Sequence, residues 1–277
     1  MSNLLTHELN HRLERLPPFP EAATRALEEL GRDNVDFARL ENAIGSDPVL
    51  TARLLRIANS PFYGLTRKIA AVKDACMLTG APALRNLIIA SVAMRQFSSN
   101  QITKIDHAAV WRHSAQCAAF AAELASAVRL PRDVAFTAGL LHDIGKLALA
   151  TLFTQECVRI HERGGTLDAE LEVLGATHAD IGARVAELWR LPLSIRDAVA
   201  AHHHPDAATR VTLADVIHAA DALAHAMDPG TDEAQAWLGV HEEVLARLNL
   251  NAEARSALYV RGRALAAAAA ELFTSAG

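Results

Sequence analysis

Residues 139–147 read GLLHDIGKL. A histidine, an aspartate and, three positions on, a lysine interrupt a segment that is otherwise apolar and of helical spacing. Ionisable groups in such a helix are costly to bury unless each finds a partner. The stretch therefore poses two questions together: what fold surrounds it, and what compensates its charges.

Outward from it, apolar residues recur at helical spacing nearly everywhere. EAATRALEEL puts Ala22, Ala26, Leu27 and Leu30 on one face, and FARLENAI does the same with Phe37, Leu40 and Ile44. Ser46-Asp47-Pro48 reads as a helix start, a cap followed by proline in the first turn. The β-branched alternation of strands is almost absent, so the expected fold is all-α. Breakers divide it: Pro17, Pro18 and Pro20 precede the second helix, Ser60-Pro61 with Gly64 closes the fourth, and Gly80 to Pro82 separates two more. The polar stretch SSNQITKID (98–106) marks a division near residue 100. A two-part helical fold is expected, with an N-terminal helical bundle over 1–100 and a second bundle over 101–277. The Ala-rich ALAAAAAELF reads as its terminal helix.

Composition narrows the function classes. The 277 residues suffice for a sizeable core, and 51 % are hydrophobic. No run approaches the roughly 18–20 uncharged apolar residues that span a bilayer. The first residues, MSNLLTHELNHRLERL, carry Glu8 and Glu14, unlike a signal or transit peptide. A cytoplasmic protein without a membrane span is the expectation. Cys76, Cys117 and Cys157 are far apart and form no CxxC, which favours buried thiols over a disulfide framework or zinc ribbon. Net charge is −5 with no Lys/Arg block, which argues against nucleic acid as a partner.

The chemistry lies in the second half. His113 sits in VWRHSAQCAAF, His142-Asp143 in the opening stretch, and His178 before a helix in GATHADIGARV. His202-His203-His204 end a helix before Pro205, and Asp221 lies among Ala219, Ala220, Ala222 and Leu223. Each has an ordinary reading. A lone helical histidine is usually satisfied within a core, Asp143 can cap a helix or pair with Lys146, and histidines at a helix end suit its dipole. Asp221 is harder to dismiss, because a carboxylate among small apolar neighbours needs a partner. A shared cation would satisfy all of them. Imidazoles and carboxylates without thiolates suit iron(II), manganese or zinc. Asp143 has two oxygens and can bridge two ions, which acidify a water for attack on phosphorus. Lys146, one turn from His142, would face the same cavity and hold a phosphate oxygen.

These residues carry a resemblance. His113, HDIGK and Asp221 resemble the H…HD…D signature of HD-superfamily metal-dependent phosphohydrolases. THADIGARVAELWRLPLSIRDAVAAHHHP is more similar still to HDOD proteins, bacterial regulatory relatives of the HD-GYP phosphodiesterases. In the first half, LPPFPEAATRALEEL, IGSDPVLTARLLRIANSPFYG and IAAVKDACMLTGAPALRNLIIAS are similar to the N-terminal helical part of HDOD proteins. The similarity runs from about residue 14 to 225.

It implies an HDOD-type helical bundle followed by an HD-like one. His113, His142, Asp143 and Asp221 match the ligands of one metal; His178, His202 and His203 match those that complete a second. Asp143 and Lys146 take the catalytic roles, Lys146 at the scissile phosphate. Iron or manganese, one ion or two, is the implied cofactor. Most HDOD proteins are regarded as catalytically degenerate, so this full set departs toward activity. Other departures limit it. HHHP runs directly into DAATRVTLADVIHAAD without a Gly-Tyr-Pro loop, which argues against cyclic-di-GMP. Ala109 supplies no carboxylate for a third metal, and His204 stands where glutamate is usual, so a two-metal site is the most expected. The first implied function is bacterial signal transduction by binding a signalling protein or small-molecule ligand, with a homodimer compatible. The alternative is a metal-dependent phosphohydrolase acting on a nucleotide or other phosphoester.

Overall fold

Side-chain caps set several of the helix starts. The computed structural model describes residues 2–59, 68–97, 105–227 and 232–274, the side chains of 2–7 and 272–274 excepted, and these contain helices and no strand. The first five are α1 (Ser2–Leu13), α2 (Glu21–Glu29), α3 (Phe37–Gly45), α4 (Pro48–Ala58) and α5 (Val72–Gln96). They are followed by α6 (His107–Ala127), α7 (Arg132–Leu141), α8 (Ile144–Leu152), α9 (Thr154–Glu162), α10 (Leu167–Leu174) and α11 (His178–Leu188). The last are α12 (Leu193–Ala201), α13 (Leu213–His225), α14 (Glu233–Leu238), α15 (Glu242–Leu248) and α16 (Ala252–Thr274). Asp36 caps α3, and Asp47 caps α4 with Pro48 in its first turn. Thr177 and Thr212 open α11 and α13 with capping boxes closed by Asp180 and Asp215. Gly80, at φ 81°, breaks the regular course of α5 where the Gly80–Pro82 punctuation is expected to. The breaks at Ser60-Pro61 and Gly64, and the division near residue 100, lie outside the described residues.

The core is continuous from Leu13 to Ala269. Its axis is α6, against which α7, α13 and α16 pack. Ala115, Ala118, Ala119, Ala121, Ala122 and Ala125 are all fully buried on α6, which explains the alanine-rich composition. Small side chains let neighbouring backbones come close: a Cβ on Gly139 of α7 would stand 2.8 Å from the Ala118 Cα. The N-terminal helices join this body where α5 packs on α7, and Asn86 Nδ2 donates to Asp133 Oδ2 at 3.0 Å. Among the described residues α5, kinked at Gly80, is also the one single helix long and apolar enough to cross a membrane, yet it is mostly buried in the core. Cys76, Cys117 and Cys157 are buried free thiols.

Phe37 departs from the expected face. Leu40 and Ile44 are buried, but Phe37 is 45 % exposed. A helical side chain covers the turn N-terminal to its own Cα, and Phe37 is the first residue of α3, with no turn before it to cover.

Asp47 ties α4 to α5. It accepts hydrogen bonds from the Val49 and Leu50 amides at 3.1 Å and pairs with Arg95. Burial opposes its charge, but the Leu50 amide and the Arg95 guanidinium outweigh that and hold the carboxyl below its usual range. A depressed carboxyl contributes stability above its unfolded value, near 3.8, and loses it as pH falls through the folded one. Asp47→Ala is expected to lower the unfolding free energy at neutral pH by about 1–2 kcal/mol. Urea titrations of both proteins check this, and the difference should shrink as the pH is taken below that range.

Candidate metal centre

The chain reverses between α7 and α8 at His142-Asp143, which close one helix and open the next. This turn aims two adjacent side chains into one space. Lys146 follows one turn into α8. His113 comes from the middle of α6, His178 is the first residue of α11, His202 closes α12 with His203 directly after, and Asp221 lies within α13. His142, Asp143, His178 and His202 are all buried. Helices α8 and α11 meet at Gly145, where a Cβ would lie 1.9 Å from the His178 carbonyl oxygen. Only glycine permits that approach, and it sets His178 against Asp143.

All eight residues singled out in the sequence converge. Asp143 Oδ1 lies 3.2 Å from His178 Nε2 and 3.9 Å from His202 Nε2. Asp143 Oδ2 accepts from Lys146 Nζ at 2.7 Å and stands 3.5 Å from His142 Nε2. Asp221 Oδ1 is 2.8 Å from His113 Nε2 and 3.5 Å from His142 Nε2. His203 Nε2 is 2.9 Å from His178 Nε2. The ordinary reading of Asp143 as a helix cap fails, because its side chain makes no cap hydrogen bond. The pairing with Lys146 is present.

The outer partners decide which way each imidazole faces. His142 Nδ1 donates to the Gly139 carbonyl and His202 Nδ1 to the Val199 carbonyl, both at 2.7 Å. His178 Nδ1 donates to the Glu170 carboxylate at 2.9 Å. These oxygens only accept, so Nδ1 carries the proton and Nε2 is directed inward, the arrangement that outer partners impose on metal-binding histidines. The inward atoms His142 Nε2, His202 Nε2 and Asp143 Oδ1 are buried without a hydrogen-bond partner. Orphaned buried polar atoms cost about 1–3 kcal/mol each, and here three of them fall within one cluster of imidazoles and carboxylates.

Burial disfavours the charge on Asp143, but His142 and Lys146 overcome it and hold the carboxyl well below its ordinary range. For His142 burial is likewise outweighed by Asp143, which raises the imidazole well above its usual value. Burial, reinforced by His142, keeps His202 far below its usual value, and burial with His178 brings His203 down to about 4. An ionised Asp143 and neutral His202 and His203 suit a divalent ion, and the proton that His142 holds beside Asp143 would give way to it. Bonds of about 2.1 Å place neighbouring ligand atoms about 3.0–3.4 Å apart, close to most of the nitrogen–oxygen separations around Asp143 and Asp221. The residues fit such an ion.

Sequence reading missed two neighbours. Glu170 lies in LDAELEVL between Asp168 and Glu172 and looks there like part of a solvated acidic face. It is instead 5 % exposed and accepts from both the ring and the backbone amide of His178. His225, one turn beyond Asp221, places Nε2 3.5 Å from Asp221 Oδ1, and helical spacing alone would have found it. Of the triple histidine, His204 turns away toward His241, their ring centroids 6.0 Å apart. His218 donates from Nδ1 to the His202 carbonyl at 2.8 Å and supports that turn.

Comparison with known proteins bears on this arrangement. A family model described as the HDOD domain matches residues 16–205. Ribonuclease Y of Thermus thermophilus is 35 % identical over 117 residues, 42 % of this chain and 16 % of that protein. The chain spans less than half the length of the curated relatives it matches. A solved phosphohydrolase candidate from Shewanella amazonensis SB2B superposes with a TM-score of 0.76 over 96 % of this chain and 97 % of its own, at 24 % identity. A signal-transduction candidate from Marinobacter aquaeolei VT8 gives 0.72 over 99 % of this chain and 66 % of its own, also at 24 % identity. At such identities these structures speak for a common fold. The family match covers more than half of the sequence, including the HDIGK turn and the paired histidines, and this chain belongs to the HDOD domain family.

Proposed function

We propose that the cluster is a divalent-metal centre and that the protein hydrolyses a phosphoester there. The observation that carries this is the set of three buried, unpartnered atoms, His142 Nε2, His202 Nε2 and Asp143 Oδ1, brought into one cluster from three helix ends. His113, His142, Asp143 and Asp221 would hold one ion, and Asp143 with His178, His202 and His203 a second, with iron(II) or manganese(II) suited to the donors. Bound there, such ions supply Lewis acidity and make a water acidic enough to act as a nucleophile near neutral pH. The rest falls to the chain. Glu170 and the Gly139 and Val199 carbonyls keep the rings oriented, and burial excludes bulk water. Lys146, its side chain 33 % exposed, brings a positive charge to the open side of Asp143, where a phosphate oxygen can pair with it.

The likeness to ribonuclease Y supports phosphoester chemistry. The net charge of −5 favours a nucleotide or other small phosphoester over a long polyanion. Hydrolysis of a chromogenic phosphodiester with manganese tests the reading. Lys146→Met is expected to lower turnover by about a hundredfold while leaving metal content unchanged. A wild type that is metal-loaded but inert toward a phosphoester panel would refute hydrolysis.

One observation favours a second reading, signal transduction by binding a partner protein or small-molecule ligand. None of the cluster residues comes from α1 to α5, although these helices pack on the body that carries it. If binding is the function, the Asp143→Ala variant should restore a deletion phenotype as well as wild type does; if turnover is, it should fail.

A further inference from the structure

Asp221 faces more imidazoles than the sequence pattern names. Its Oδ1 is approached by His113 Nε2 at 2.8 Å, by His142 Nε2 at 3.5 Å and, from the outer side, by His225 Nε2 at 3.5 Å. The His225 ring lies over that of His113, centroids 4.4 Å apart and planes inclined by 33°. Ligand atoms of His113, Asp221 and His225 all fall within 4.8 Å of one another. The side chains of His113 and Asp221 are 17 % and 13 % exposed, whereas that of His225 is 63 % exposed. His225 lines a cavity of about 590 Å³ whose wall also includes His203, Asp221, Gln235 and His241.

The contact from His225 to Asp221, 3.5 Å, is too long for a good hydrogen bond and lies just above the edge between two ligands of one ion, about 3.0–3.4 Å. Iron(II) and manganese(II) accept six donors, and His113, His142, Asp143 and Asp221 supply four. His225 closes on two of them, His113 and Asp221, and lines the cavity, on a side chain free enough to leave.

We propose that His225 is a displaceable ligand of the ion held by His113 and Asp221, occupying from the cavity side the coordination position that a phosphate oxygen takes. The proposal rests on the metal-centre reading and adds to it how the site is kept closed before substrate arrives. His225 then raises metal affinity and opposes phosphate binding, so its removal moves the two in opposite directions. A merely structural histidine would move neither, or both together.

The test titrates full-length, metal-free protein with manganese(II), then titrates the manganese-loaded protein with inorganic phosphate. His225→Ala should bind manganese at least about tenfold more weakly, the scale on which even outer partners act, and should bind phosphate more tightly. His225→Asp, which keeps a ligand, should recover the metal affinity. Equal manganese affinity of His225→Ala and wild type overturns the proposal, as does phosphate binding that weakens along with the metal. A folded wild type that takes no manganese overturns the metal-centre reading itself, and this proposal with it.

Discussion

Asp143→Ala is expected to reduce phosphoester turnover by at least about a thousandfold, the upper range for loss of one preorganised electrostatic group. Asp143 lies between both halves of the cluster, with His178 and His202 near Oδ1 and His142 and Lys146 near Oδ2. On the proposed metal-centre reading, its removal deprives each half of a ligand together. The fold should survive. His142 owes its raised proton affinity largely to Asp143 and can become neutral once the carboxylate is gone, and Lys146 can turn to solvent. A destabilisation of about 1–3 kcal/mol is expected. Turnover, metal content and thermal unfolding measured on one preparation check all three, and unchanged turnover would reject the assignment.

Gly145→Ala should have the largest effect on stability. The added Cβ would fall 1.9 Å from the His178 carbonyl oxygen and 2.8 Å from the Gly182 amide nitrogen, both of them backbone atoms. No rotamer change relieves such a clash, so α8 and α11 must part, and His178 then moves away from Asp143. Overpacking of this kind costs about 3 kcal/mol or more. Gly45→Ala is the control, since its Cβ would meet nothing within 4 Å. Urea unfolding should show Gly145→Ala well below wild type and Gly45→Ala close to it. Equal stability of the two variants would mean that the helix crossing does not position the site.

The fold class and the helix starts were legible because they are local properties. The cap at Asp47-Pro48, the break at Gly80 and the alanine-rich packing of α6 and α16 each follow from residues within a turn or two of one another. The candidate site residues were legible for a different reason. Charged and imidazole groups in apolar helices are conspicuous, and their order along the chain matches a known pattern. Their meeting was not legible, since His113 and Asp221 lie 108 residues apart and only packing joins them. Glu170 was hidden because acidic neighbours made it look solvated, and Phe37 because periodicity ignores where a helix begins. The role of Gly145 was invisible for the same reason as the meeting: the atom that forbids a side chain belongs to α11.

The most direct measurement is elemental analysis of the protein purified anaerobically without chelator, beside His142→Ala and Asp143→Ala. Iron or manganese at about one to two equivalents, lost in both variants while their helical content is retained, is the predicted result. Folded wild-type protein that carries no metal, and takes none up when iron(II) or manganese(II) is supplied, would contradict it.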